Sequence, residues 1–169
     1  MYTSTIIDDE EHCFEVMRRM EEEYTEGKED FFVKVLREEP SLVLRVHAVT
    51  ILAELGGEKG VDVLSDVLAH DPDPLVRHEA AFSLGQIGSA TGNEALEKAV
   101  REDDNPVVRH EAAAALGSVG NQSSRATLEY ALNDKEDIVS NSARTSLFNL
   151  EFLEKYSVGG SARERMPRP

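Results

Sequence analysis

Apolar residues recur at helical spacing in four segments of the chain, about 32 residues apart. The four sets are Leu44, Ala48, Leu52, Leu55; Val76, Ala80, Leu84, Ile87; Val108, Ala112, Leu116, Val119; and Val139, Ala143, Leu147, Leu150. Steps of three and four residues place each set on one face of an α-helix. Shorter amphipathic stretches lie between the long helices, around 61–68, 95–100 and 127–132. Each repeat is therefore predicted to be a helical hairpin.

Residues that start and stop helices frame these segments. Ser41, Asp73 and Asn105 can cap the first turn of a helix. Pro74 and Pro106 stand at the first helical position, where a missing N–H has no intrahelical partner to lose. A glycine ends each of the two central segments, as is common after the last helical turn. The predicted helix boundaries therefore repeat with the same period as the apolar faces.

Two of the segments are close copies. PLVRHEAAFSLGQIG (74–88) and PVVRHEAAAALGSVG (106–120) are identical at 10 of 15 positions, and weaker copies begin at Ser41 and Asp137. A single hairpin cannot bury its apolar face alone, so such units stack. We predict an all-α protein, an α-α superhelix of about four hairpins that resemble HEAT repeats. The repeats are placed at about 28–57, 58–88, 89–120 and 121–156, with an N-terminal capping helix at about 10–24 and a disordered tail at 157–169.

Charge and composition limit the classes of partner that the chain is expected to bind. The 33 acidic and 18 basic residues give a net charge of -15, which disfavours a nucleic-acid partner and favours cations or a basic protein. The same charge is also compatible with solubility alone. No apolar run reaches the roughly 18 residues of a membrane span, and the acidic start has no leader features. The lone Cys13 cannot form an internal disulfide, so we predict a cytoplasmic protein with no membrane contact.

A His-Glu pair stands away from the predicted core. At 100° per residue from Val76, His78 lies at about 200° and Glu79 at about 300°, whereas the core residues span about 80°. The next repeat places the same pair 32 residues later. Gly85 and Gly117, two turns beyond each His, are predicted to leave room beside it. Two imidazoles and two carboxylates are thus expected side by side on adjacent helices.

These residue types suit a metal ion. Imidazole plus carboxylate, without thiolate, favours Fe, Mn, Zn or Ni, and two His with one carboxylate is the minimum set for a non-haem iron that activates oxygen. The candidate metal ligands are His78, Glu79, His110 and Glu111. In the alternative interpretation, tandem duplication copied a solvent-exposed helix surface, with Arg77 and Arg109 paired to acids.

The flanking repeats do not supply a second set of ligands. His47 aligns with Glu79, and Asn141 aligns with His78. His12 and His70 fall outside the aligned positions, and both are predicted to be surface residues. One chain therefore offers at most four direct ligands.

The doubled motif VRHEAAFSLGQIG and VRHEAAAALGSVG resembles the HEAT-repeat family of deoxyhypusine hydroxylases. The likeness spans about 31–153 and includes LGG at 55–57 and FNLEFL at 148–153. Members of that family have eight repeats in two pseudosymmetric halves, each with two His-Glu motifs. A non-haem di-iron centre between the halves supports O2-dependent hydroxylation of the deoxyhypusine side chain of a translation factor.

This resemblance implies a function that one chain cannot complete alone. His78, Glu79, His110 and Glu111 fall on the metal-site motifs, with one of the two Glu residues available to contact substrate instead of metal. Because only one half is present, a homodimer or a second half-length chain would supply the rest, giving two iron ions per dimer with O2 as co-substrate. The acidic body fits a lysine-derived side chain on a basic protein substrate.

Two other functions share the same repeat type. The generic part of the motif, V-R-x-x-A-x-x-A-L-G, is similar to repeats in bilin lyases and in non-catalytic scaffolds that bind a basic protein. Only the doubled His-Glu pair separates the enzyme from these alternatives. It favours a metal-dependent monooxygenase.

Overall fold

The computed structural model describes residues 10–157, which are helical almost throughout. The elements are α1 (Glu10–Thr25), α2 (Glu29–Glu38), α3 (Leu42–Leu55), α4 (Gly57–His70), α5 (Pro74–Ile87), α6 (Ala90–Glu102), α7 (Pro106–Val119), a 3-10 turn (Gln122–Ser124), α8 (Arg125–Ala131) and α9 (Asp137–Ser157). No strand occurs within these residues, so the all-α prediction is confirmed. Of the predicted disordered tail, all but Ser157 lies outside the described residues. None of the described helices is long and apolar enough to cross a membrane.

The helices form two stacked rows. The first row contains α2, α4, α6 and α8, and the second row contains α3, α5, α7 and α9; each helix of the second row packs against the next one in that row. Consecutive members of the two rows form hairpins, while α1 packs on α2 and α3 at the start of the stack. This is the repeat superhelix that the apolar pattern predicts.

Local capping explains where the second-row helices begin and end. The side chains of Ser41, Asp73 and Asn105 accept hydrogen bonds from backbone N–H groups in the first turn, at 3.4, 2.8 and 2.9 Å. Gly88 and Gly120 take left-handed backbone conformations, with φ of 68° and 73°, that end α5 and α7. Each N-cap stabilises its helix by about 1 kcal/mol.

The predicted apolar faces form the core. Most members of the four sets are buried, and Leu44, Val76, Leu84, Leu116 and Leu150 have no exposed surface. The remaining members are half-buried: Leu55, Ile87, Val119 and Leu147. Burial of these faces between rows stabilises the stack through contacts between neighbouring repeats.

The two glycines near the His residues allow α5, α7 and α9 to pack closely. A Cβ added at Gly85 would lie 2.7 Å from the Cβ of Ala115, and one at Gly117 would lie 2.8 Å from the Cα of Ser146. The prediction that Gly85 leaves room beside its His was wrong, because α7 fills that space. Gly117 also packs against α9, but together with His110 it lines a groove between α7 and α9.

A ladder of buried ion pairs joins the repeats. Each pair links an arginine at the fourth residue of a second-row helix to an aspartate that follows a first-row helix: Arg45–Asp71 at 3.1 Å, Arg77–Asp103 at 2.8 Å and Arg109–Asp134 at 2.7 Å. The guanidinium groups also donate to backbone carbonyls of the loop before their own helix. The Arg109 guanidinium holds the pKa of Asp134 below its ordinary value. Arg77 and Arg109 therefore pair with acids, as the surface-duplication alternative proposed.

Candidate metal centre

The two His-Glu pairs lie on α5 and α7, adjacent helices of the second row. All four side chains are partly exposed, whereas Val76 and Ala80 on the same helix are fully buried. The pairs therefore lie away from the core, as the helical spacing predicts.

His78 meets the carboxylate of the following repeat. Its Nε2 lies 3.3 Å from Oε2 of Glu111, and the two side chains are 26% and 16% exposed. Two ligands bound at about 2.1 Å to one metal ion lie about 3.0 to 3.4 Å apart, depending on the coordination angle. The His78–Glu111 separation therefore falls within the range expected for two ligands of a single ion.

His110 makes the equivalent contact with α9. Its Nδ1 lies 2.5 Å from Oγ of Ser142, which occupies in α9 the position that Glu111 has in α7. With the proton on Nδ1, the imidazole donates to this hydroxyl, and Nε2 keeps its lone pair. Metal-bound histidines usually donate their second ring N–H to a neighbouring oxygen in this way. In that tautomer the Nε2 lone pair of His110 is available to a metal ion.

His78 lacks such a second contact. Its Nδ1 is buried and has no hydrogen-bond partner among the residues that the structure describes. With the proton on Nε2, which faces the Glu111 carboxylate, Nδ1 holds a lone pair that receives no hydrogen bond from the described residues. A metal on Nε2 would move the proton to Nδ1, where it would have no acceptor. His78 is therefore the less prepared of the two imidazoles.

The two carboxylates face different neighbours. Glu79 lies 3.5 Å from Oγ1 of Thr50 on α3, while Glu111 lies beside His78. Within residues 10–157, no three His, Cys, Asp or Glu side chains lie close enough together to hold a metal ion. One chain therefore brings together His78 and Glu111, and the four-residue metal site remains a prediction.

The remaining histidines lie where the repeat alignment places them. His47 is half-buried on α3 at the position of Glu79, and Asn141 is exposed on α9. His12 is exposed and lies 3.1 Å from Oε2 of Glu39, and exposed His70 lies 2.9 Å from Oδ1 of Asp66. The prediction that His12 and His70 are surface residues is confirmed.

Two features near the pairs escaped the sequence analysis. Ser142 stands at an aligned position, so the repeat period could have identified it if contacts between successive repeats had been considered. The second feature is a groove of about 570 Å³ between α7 and α9, lined in part by His110, Ile138 and Phe148. We call it the end groove. It depends on how two helices pack, which no local pattern predicts.

Comparison with known proteins places the chain among helical repeat proteins. The family model of HEAT repeats matches residues 29–103 and 61–147. The structure of human deoxyhypusine hydroxylase in complex with glycerol is similar, with 26% identity and a TM-score of 0.72 over 85% of this chain and 50% of that chain. The complex of CpcE and CpcF of phycocyanin lyase from Nostoc is also similar, with 25% identity and a TM-score of 0.56 over 80% of this chain and 60% of that chain.

The likeness is partial in both cases. The chain spans about half the length of the hydroxylase chain that it matches. No curated protein sequence matches it.

Proposed function

This chain belongs to the HEAT-repeat family, and from that membership we propose that it supplies one half of a non-haem iron oxygenase site. The observation that carries the proposal is the contact of His78 with Glu111 across two repeats that share the same His-Glu motif. The similarity to half of the hydroxylase chain supports it. A second half, from another copy or another chain, would complete the site.

The contacts divide the four candidates into two roles. We assign His78, His110 and Glu111 to the metal, because Glu111 lies beside one imidazole and Ser142 orients the other. Two imidazoles and a carboxylate are a set that iron accepts. The fit is incomplete in one chain, since no three of these groups converge there and Nδ1 of His78 lacks an acceptor. When bound, iron would activate O2 for insertion into a C–H bond.

Glu79 is assigned to the substrate. Its carboxylate accepts a hydrogen bond from Thr50 on α3, whereas Glu111 lies beside His78, and this difference supports a separate role for Glu79 in binding a cation. A carboxylate at that position would bind the amine of a lysine-derived side chain, and the net charge of -15 would attract a basic protein that carries it. The substrate class that we propose is therefore a modified lysine on a basic protein.

Iron analysis tests the proposal. The protein is purified without an affinity tag or chelator, and we expect roughly one bound iron ion per chain. The double variant His78→Ala, His110→Ala should lose the iron, while His70→Ala, which removes an exposed imidazole on α4, should keep it. Glu111→Gln should lose iron and Glu79→Gln should retain it. Iron absent from the wild-type protein, or present equally in the double variant, would sink the proposal.

A second candidate function is that of a scaffold for a basic protein, and one observation favours it. The second residue of each second-row helix is apolar and about half exposed: Val43, Leu75, Val107 and Ile138. These four residues form an apolar row along one edge of the stack. The segments 38–45, 71–77, 103–109 and 134–138, which form that edge, contain nine acidic and four basic residues. An amphipathic segment with basic side chains would complement both features.

Peptide binding separates the scaffold from the enzyme. Leu75→Ser should weaken the binding of an amphipathic helical peptide, with one face of Leu and one of Lys, by about tenfold, because an exposed half of the leucine side chain is no longer available for burial. Serine leaves the charge of the surface unchanged. The control Phe14→Ser removes an exposed aromatic from α1, outside the apolar row. Fluorescence anisotropy measures both. Equal binding by wild type and Leu75→Ser would exclude this surface, whatever the iron content.

A further inference from the structure

Helix α9 departs from a feature that α5 and α7 share. Phe148 in α9 stands at the position of Gly85 in α5 and Gly117 in α7, counted from the first core residue of each helix. Those glycines allow the next helix to approach so closely that a Cβ would clash with it. Phe148 instead projects a ring that is 71% exposed. No further helix can pack on α9 in the way that α7 packs on α5.

Aromatic side chains continue along the same side of α9. Phe148, Phe152 and Tyr156 follow one another at four-residue steps, and each is exposed. The rings of Phe152 and Tyr156 are in contact, with centroids 4.7 Å apart. The end groove of about 570 Å³ lies directly beside Phe148. We call the three aromatics together with the end groove the end surface. Exposed aromatics beside a concavity are typical of protein interfaces.

The charge of the lining decides which partner fits. The described residues that line the end groove include His110 but no Asp, Glu, Lys or Arg. This is unusual in a chain that is 30% charged and carries a net charge of -15. Two copies of so acidic a protein repel each other over most orientations. An uncharged groove beside exposed aromatics is a place where a second copy can approach with less of that repulsion.

We infer that two copies of this chain pair through their end surfaces about a twofold axis, with Phe148 of each copy inserted into the end groove of the other. The interface is isologous, so one projecting ring and one groove per copy suffice for both contacts. The inference deepens the proposed function. It rests on that function in one respect, because His110, which lines the end groove, is one of the proposed metal ligands. Pairing brings His110 of both copies to one interface, so a second copy of this chain is the source that we infer for the second half-site.

Sedimentation velocity of the full chain over a range of concentrations tests the pairing. The wild-type protein should be a dimer, and Phe148→Ser should raise the dimer dissociation constant by about a hundredfold, because each dimer loses two buried rings. The matched control is Phe14→Ser, which removes a ring of the same 71% exposure from α1 at the other end of the stack. This control should leave the dimer unchanged.

A second variant protects the test against misfolding. Thr145 is an exposed residue of α9 that lines the end groove. Thr145→Glu adds one carboxylate to each face of the interface and should also produce monomers, with a circular dichroism spectrum that matches the wild type. A wild-type monomer, or a dimer that is unaffected by both Phe148→Ser and Thr145→Glu, would overturn the inference.

Iron content distinguishes this inference from the proposed function. A dimer that depends on Phe148 but binds no iron would support the interface and remove the oxygenase. An iron-containing dimer that is indifferent to Phe148 would support the oxygenase and overturn the interface.

Discussion

Replacing Arg109 with leucine should destabilise the stack more than any exposed substitution. The guanidinium is buried and donates to both carboxylate oxygens of Asp134, at 2.7 and 3.0 Å. It also donates to the backbone carbonyls of Asp103 and Asp104, at 2.9 and 3.1 Å. The change therefore removes four hydrogen bonds and leaves a largely buried carboxylate without its cation.

The magnitude follows from these contacts. Removing one member of a buried ion pair costs about 3 to 5 kcal/mol, since the partner stays desolvated. Asp134 keeps a backbone hydrogen bond from Glu136 at 2.9 Å and some access to water, which argues for the lower end of that range. The leucine also retains part of the packing of the arginine stem. We expect a loss of about 3 kcal/mol in the free energy of unfolding.

Urea unfolding at neutral pH measures this loss. Asp134→Asn and the double variant Arg109→Leu, Asp134→Asn complete a double-mutant cycle. The loss in free energy of unfolding of the double variant should be at least about 1 kcal/mol smaller than the sum of the two single losses. The control is Arg125→Leu, which breaks an exposed pair with Glu154 at 3.1 Å. Such exposed pairs contribute at most about 1 kcal/mol. A loss below about 1 kcal/mol for Arg109→Leu would refute the argument.

The Arg109–Asp134 pair also predicts how the free energy of unfolding depends on pH. Arg109 lowers the pKa of Asp134 in the folded protein, mainly through the side-chain hydrogen bond. The stabilisation that the Arg109–Asp134 pair provides is therefore complete above the pKa of an aspartate in the unfolded chain, about 3.9. It is lost as the pH falls through the lower pKa that Asp134 has in the folded protein. The stability difference between wild type and Arg109→Leu should narrow below about pH 4. An equal difference at neutral and acidic pH would contradict this sign.

Three further outcomes can be measured on single variants. Gly117→Ala should lower the free energy of unfolding in urea by about 1 to 2 kcal/mol, because the clash with Ser146 outweighs a gain in helix propensity of about 1 kcal/mol. A more stable variant would show that α7 and α9 can move apart without cost. Ser142→Ala should weaken iron binding about tenfold and move the ¹⁵N resonance of His110 Nδ1, whereas Ser142→Thr should restore both; unchanged affinity and an unchanged resonance would deny Ser142 a positioning role. Asn105→Ala should cost about 1 kcal/mol in thermal or urea unfolding, and no loss would mean that the cap is dispensable.

Features that depend on local spacing were predictable from the sequence. The apolar period, the capping residues and the HEAT-type hairpins all follow from residues within one repeat, and the structure and the family match confirm them. The period of 32 residues also predicted that the His-Glu pairs would lie on adjacent helices. The specific contact of His78 with Glu111 required the rotation of each helix relative to the next.

Features that depend on packing between helices were not predictable. The glycine at 85 looks the same in the sequence whether it faces open space or the neighbouring Ala115, and only the stack decides. For the same reason the orientation of Glu79 towards Thr50 could not be inferred from the motif, which treats both carboxylates alike. The metal and the substrate stay predictions.

Phe148 also constrains how an array of this type can change length. Tandem arrays grow when a unit is copied, and a copy of the third hairpin inserted after Gly120 would present its own glycine to the following unit, so the existing spacing would be kept. A copy added beyond α9 would meet an aromatic ring where α7 and α9 meet a glycine of the preceding helix. Duplication within the array therefore leaves the end surface intact, whereas addition of a hairpin beyond α9 first requires replacement of Phe148. One side chain thus favours insertion of a repeat over extension past α9.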